Sequence, residues 1–236
     1  MRSCLIRLLV MAVFVFALLW FGLPFGASWL ATNALNAAGF TGTGTQVDIS
    51  ATLPPRILLG HADKIRLSST QVSVGDLNAA TMDVTLSNVQ LIDRTFGSVD
   101  GTLTGVRVFT PTGDGLTIDN VVLHGESTAA TATLTVSIAE AESLAEEQFK
   151  AHTTLAATVK VAAPDKVTIT INGQSKPGHL VVRDGSLLMV PESTDLPTVT
   201  LLQTGSGNPF HLTKVSVGAS ALTLGGMIDL QSLLGL

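Results

Sequence analysis

The chain has 236 residues, of which 46% are hydrophobic and only 13% charged. Soluble domains usually carry about 25% charged residues, so a large apolar core is available and disorder does not dominate. Residues 31–236 hold 11 of the 13 Lys and Arg and all 18 Asp and Glu, a formal net of −7. A domain of that sign has no electrostatic reason to hold nucleic acid.

Residues 8–23 carry no charge. As a helix rising ~1.5 Å per residue they would span about 24 Å; extension to Leu30 gives about 34 Å against a hydrocarbon core of ~30 Å. Arg2 and Arg7 precede the run, and no base follows until Arg56. The positive-inside rule then puts the N-terminus in the cytoplasm and the rest across the membrane. The expected organisation is a single-pass anchor in the cytoplasmic membrane over residues 1–34 and an extracytoplasmic β-rich domain over 35–236, on the periplasmic or cell-wall side. A cleaved signal peptide is the alternative. Its cleavage sites would place Phe25 or Trp29 where a small residue is required. Cys4 is the sole cysteine, so no intramolecular disulfide forms.

Beyond Gly39, alternation replaces helical spacing. Ile65 and Leu67 fall on odd positions, Val72 and Val74 on even ones; Met82, Val84 and Leu86 are even, Val89 and Leu91 odd. Each phase slip predicts a bulge that restores the inward face and bends the strand. Residues 102–108 read as a strand. Residues 131–138 place Ala132, Leu134, Val136 and Ile138 opposite a row of Thr and Ser, and residues 166–172 repeat the pattern with Val167, Ile169 and Ile171. Asp100-Gly101, Pro111 to Gly115, Asn172-Gly173 and Asp184-Gly185 are turn signals, the last two for tight hairpins. One helix is predicted over 138–150. Ser137 and Glu140 fit a capping box, and Ile138, Ala141, Leu144, Ala145 and Phe149 share one face.

Enzyme signatures are thin in the sequence. The five His residues have no metal-ligand spacing, and neither a nucleophile elbow nor a phosphate-cradling glycine loop is found. No catalytic residue, metal ligand or cofactor is expected. The aliphatic surplus has two readings, a dry core or an apolar groove for a ligand.

A resemblance bears on that choice. Residues 55–65 (Pro-Arg-Ile-Leu-Leu-Gly-His-Ala-Asp-Lys-Ile), 74–77 and 82–89 resemble the LmeA-like phospholipid-binding family of bacterial envelope proteins. Residues 208–217, with Pro209-Phe210, look like that family's closing strand, and residues 221–226 like the strand after it. The resemblance covers roughly residues 35–230. It implies an elongated, tube-like lipid cavity built from a curled sheet and a helix, and no enzymatic residues.

The expected fold class is therefore α+β but mostly β: a curled antiparallel sheet with bulges, packed with a mid-chain helix and preceded by one transmembrane helix. The expected function is to hold or transfer phospholipid through an apolar groove at the membrane in envelope biogenesis or maintenance. Val84, Leu86, Leu134, Val136, Phe149, Phe210 and Leu212 would line one apolar interior, with Lys64, Arg66 or Arg107 at the headgroup. The rival reading is a non-enzymatic structural or protein-interaction domain, whose partners the sequence does not name.

Overall fold

The computed structural model describes residues 40–74, 77–93, 95–108, 116–203 and 210–230. Six strands form a meander: β1 (Thr41–Ser50), β2 (His61–Val74), β3 (Leu77–Gln90), β4 (Ser98–Val108), β5 (Leu116–Glu126) and β6 (Ala129–Ser137). The helix α1 (Ile138–Thr153) follows. Five short strands come next, β7 (Thr158–Ala162), β8 (Lys166–Ile171), β9 (Gln174–Arg183), β10 (Ser186–Pro191) and β11 (Val199–Leu202). The chain then returns through β12 (Phe210–Val217) and β13 (Ala221–Ile228). β13 pairs with β6, giving an eight-stranded antiparallel sheet of order β1-β2-β3-β4-β5-β6-β13-β12; β7 to β11 form a separate five-stranded sheet.

The expected fold class is corrected by these observations. Strand accounts for 67% of the described structure and helix for 12%, so the architecture is mostly β. There are two sheets where one was expected. The helix redirects the chain after β6, and the hairpins at Asn172-Gly173 and Asp184-Gly185 then close a meander of their own. All four hairpin residues have positive φ (51°, 78°, 51° and 77° in sequence order), as tight primed turns require. No helix among the described residues is long and apolar enough to cross a membrane, so no transmembrane helix belongs to the fold described. The expected anchor, residues 1–34, lies outside the described residues, as does the Pro111 to Gly115 turn.

α1 contacts β7 and β11, the two edge strands of the small sheet, and β5, β6 and β13 of the large one. Ala141, Leu144, Ala145 and Phe149 are buried, the face its periodicity predicts, and Phe149 is 0% exposed. The helix runs three residues past the predicted end. Half of the predicted capping box forms: the Glu140 N–H donates to Ser137 Oγ at 3.2 Å. The reciprocal half does not, because the Glu140 carboxylate accepts the Thr117 backbone N–H at 2.8 Å instead. That bond ties α1 to β5.

The predicted slips in β2 and β3 fall at Gln71 and Asn88, at φ of 52° and 53°. The first is part of a longer crease. Strand pairing skips Gln71 with Ala80, Ala80 with Gly105, and Gly105 with Asp119, while the register on either side is unchanged. Gly105 has φ +57°, a conformation that costs glycine little. Four strands thus change phase along one line, so the inward face stays apolar as the sheet bends. Asp100-Gly101, predicted as a turn, lies inside β4. Gly101 serves close approach there: a Cβ on it would stand 2.9 Å from Val84 Cγ2.

Two apolar clusters result. The first joins both sheets and α1, and includes Val72, Val106, Val136, Phe149, Ile169, Met189, Leu212 and Leu224. The second closes the far end of the large sheet with Val47, Ile49, Ile57, Val89, Phe96, Val99 and Leu230. β12 is fixed to the small sheet by the Leu212 N–H on the Gly185 carbonyl (3.1 Å) and the Val217 N–H on the Pro164 carbonyl (2.7 Å).

Candidate functional site: an aliphatic trough on the large sheet

Between the clusters, cross-strand partners place aliphatic side chains in rows on the inner face. One row runs Met82, Leu103, Val121, Leu134, Leu224. The next runs Leu67, Val84, Gly101, Leu123, Ala132. A third begins Ile65, Leu86, Val99. Directly opposed residues share a face, so these rows form a continuous apolar surface. Ile65, Leu67, Met82, Val84, Leu86, Leu103, Val121, Leu123 and Leu134 are all half-buried, while Leu224 and Val99 at the margins are buried. Gly101 and Ala132 are the small residues in the middle row of this half-buried aliphatic band, the trough.

The structure divides the expected lining residues. Val136, Phe149 and Leu212 are 2%, 0% and 3% exposed, inside the first cluster. The apolar cavity beside Val136, enclosed by Leu144, Leu180, Leu187 and Leu222, measures about 10 Å³. That is about the minimum for one water molecule, so no acyl chain fits there. Leu134 packs against the same cluster from the trough side, whereas Val84 and Leu86 pack against the second. The six whose side chains are described therefore divide between the two clusters. Those on the trough are Val84, Leu86 and Leu134. The Phe210 side chain lies outside the described residues. Sequence reading missed Met82, Leu103, Val121 and Leu123 as trough residues. Their signal was the alternation itself, since Met82 shares its parity with Val84 and Leu86 on β3; the pairing that sets Leu103 beside Met82 is a cross-strand register that no single strand records.

The expected headgroup cations also separate. Lys64 and Arg66 alternate with Ile65 and Leu67 and so stand on the outer face, away from the trough. Arg66 is committed there to Asp83, with Nε to Oδ1 at 2.9 Å and an Nη to Oδ2 at 2.6 Å. The Arg66 hydrogen bonds hold the Asp83 carboxyl below the usual carboxylate range. Arg107 lies beyond the crease and lines a separate open cleft of about 420 Å³.

At the far end of the large sheet, large aliphatic side chains stand in water. Leu53 precedes and Leu59 ends a 3-10 turn (Pro54–Leu59), and Leu91 and Ile92 begin the β3–β4 turn. They are 52%, 66%, 42% and 75% exposed. The turns are joined by the Leu91 N–H on the Gly60 carbonyl at 2.7 Å. Among the described residues no group of three His, Cys, Asp or Glu is placed to hold a metal ion.

No family model matches the chain, no curated protein matches it, and no solved structure matches it. Nothing in these comparisons identifies an LmeA-like family.

Proposed function

We propose that this protein holds phospholipid at a membrane, with the acyl chains lying in the aliphatic trough of the large sheet. The observation that carries the reading is the band of nine half-buried aliphatic residues between two buried clusters. A sheet face built to be core would be covered, as the first cluster is. Each CH₂ moved from water onto such a surface contributes about 0.8 kcal/mol, so an apolar lining binds tails without charged groups. The exposed tip at Leu53, Leu59, Leu91 and Ile92 supports the same reading. Contiguous exposed apolar surface of this kind marks contact sites, and a bilayer is the contact that a lipid-holding protein needs. The trough begins next to the second cluster, directly behind that tip.

Photo-cross-linking tests the proposal. The full chain is reconstituted in phosphatidylcholine–phosphatidylglycerol vesicles that carry a phospholipid with a diazirine on its acyl chain. After irradiation, adducts are expected on peptides containing residues 82–86 and 103, and not on residues 144–149 of the dry core. Adducts confined to other surfaces, or none on the domain, would overturn it.

A further inference from the structure

We infer that the cleft at the crease is a binding site for a phosphate ester, centred on Arg107. Four polar residues form one row across β2 to β5: Ser73 opposite Asn78, Asn78 opposite Arg107, and Arg107 opposite Thr117. Neighbouring strands lie ~4.8 Å apart, so the row spans about three strand spacings and its side chains share a face. Each can donate a hydrogen bond: two hydroxyls, an amide and a guanidinium. Gln71, at the crease itself, adds a second amide to the rim. Three of the residues that line the cleft with this row, Ala79, Ala80 and Gly105, are small, and a Cβ on Gly105 would already be 3.0 Å from the Ala80 Cβ.

Charge selects the ligand. Among the described residues the cleft lining has no carboxylate, in a chain whose acids outnumber its bases 18 to 13. Among those residues Arg107 has no ion-pair partner, unlike Arg66, Lys160 and Lys176. The Glu140 carboxylate approaches the Thr117 end, where the Thr117 backbone N–H holds it. The seat for an anion is therefore the Arg107–Asn78–Ser73 side. A guanidinium fork matches phosphate oxygens in pairs. The cleft, at about 420 Å³, has the size of a small-molecule site and takes a phosphoryl group with a small organic substituent.

Two sources share this chemistry, the phosphodiester of a phospholipid headgroup and a soluble organic phosphate. The first rests on the lipid-binding reading; the second does not. Isothermal titration calorimetry on the full chain in nonionic-detergent micelles separates them. The probes are glycerol 3-phosphate, dihexanoyl phosphatidylglycerol with a micelle-only blank, and glycerol. Binding of at least one phosphate probe but not of glycerol is expected. Affinity should fall with added salt, and at least tenfold in Arg107→Gln. Arg107→Lys should keep part of it, Asn78→Ala should weaken it, and Arg183→Gln, on the exposed end of β9, should leave it unchanged. Equal affinity for both phosphate probes assigns the site to soluble organic phosphates, and binding of the lipid alone assigns it to headgroups. If neither probe binds, or if Arg107→Gln binds as well as the parent, the site is disproved. Acyl-chain cross-linking in the trough is unaffected by either result, so the two readings fail separately.

Discussion

Glu142 on α1 accepts the backbone N–H of Val161 on β7 at 3.1 Å. β7 is an edge strand of the small sheet, and one helical turn away Glu146 accepts the Val159 N–H at 2.9 Å. Alternate outward N–H groups of the strand are thus closed by carboxylates four residues apart on the helix. An open edge is a template for pairing with another chain, and here the helix removes it. Replacing both acids by Ala should leave two amides unsatisfied and expose the edge. Faster amide exchange at Val159 and Val161, with concentration-dependent self-association, is the expected result. Unchanged exchange at both positions would mean that the helix does not protect the edge.

The same contact makes the small sheet acid-sensitive. Burial alone would raise the Glu142 carboxyl, but the hydrogen bonds from Lys160 and the Val161 N–H outweigh it and hold the group below its usual range. A depressed carboxylate stabilises the fold above its unfolded value of about 4.3, and that contribution is lost as pH falls through the lower folded value. Melting temperature should therefore drop below about pH 4, and Glu142→Gln should flatten part of that drop. A Gln variant with the parent's acid profile would contradict the assignment.

Gly105 is predicted to be intolerant of side chains. At φ +57° an L-residue is strained by about 1–2 kcal/mol, and the added Cβ would crowd Ala80. Gly105→Ala should destabilise by about that amount in urea denaturation, and Gly105→Asn by less, because Asn tolerates this conformation. An Ala variant as stable as the parent would show that the crease can relax.

Trough and core should respond in opposite ways. Leu86→Trp fills the half-open trough and should displace cross-linked lipid with little change in melting temperature. Phe149→Ala removes a fully buried ring and should cost about 3–5 kcal/mol while sparing the trough in molecules that remain folded. If Leu86 instead belongs to a close-packed core, its Trp variant will lose about 1–3 kcal/mol or more. Lipid retention and melting temperature are measured together on both variants.

At the start of α1, two residues read as one capping motif should prove separable. Ser137→Ala should cost about 1 kcal/mol through the lost cap. Glu140→Ala leaves the Thr117 N–H without its partner and should cost about 1–3 kcal/mol. Equal, non-additive losses in the double variant would restore the reciprocal capping box.

Contiguous residues were enough to read the inward rows of β6 and β8, the buried face of α1, the Ser137 cap and the two Gly-containing hairpins. Alternation, helical period, capping and turn chemistry act over a few residues, so their record lies in the local sequence. Asp100-Gly101 misled for the same reason. The pair has turn chemistry, but Gly101 answers to Val84, seventeen positions earlier, and that close approach leaves no local trace. The Glu140 carboxylate was likewise claimed by Thr117, twenty-three positions before it.

By itself the sequence determined which residues are apolar, which of them share a face within a strand, and where β2 and β3 slip. Only the tertiary structure decided which of those faces are covered. Val136 is buried because α1 and the small sheet close over its row, whereas Leu134, two residues earlier on the same face, stays half-open. Arg66 and Arg107 look alike in sequence, yet one is paired on the outer face and the other lines a cleft. Burial and pairing are set by elements tens of residues away, and a two-residue repeat holds no information about what will be folded against it.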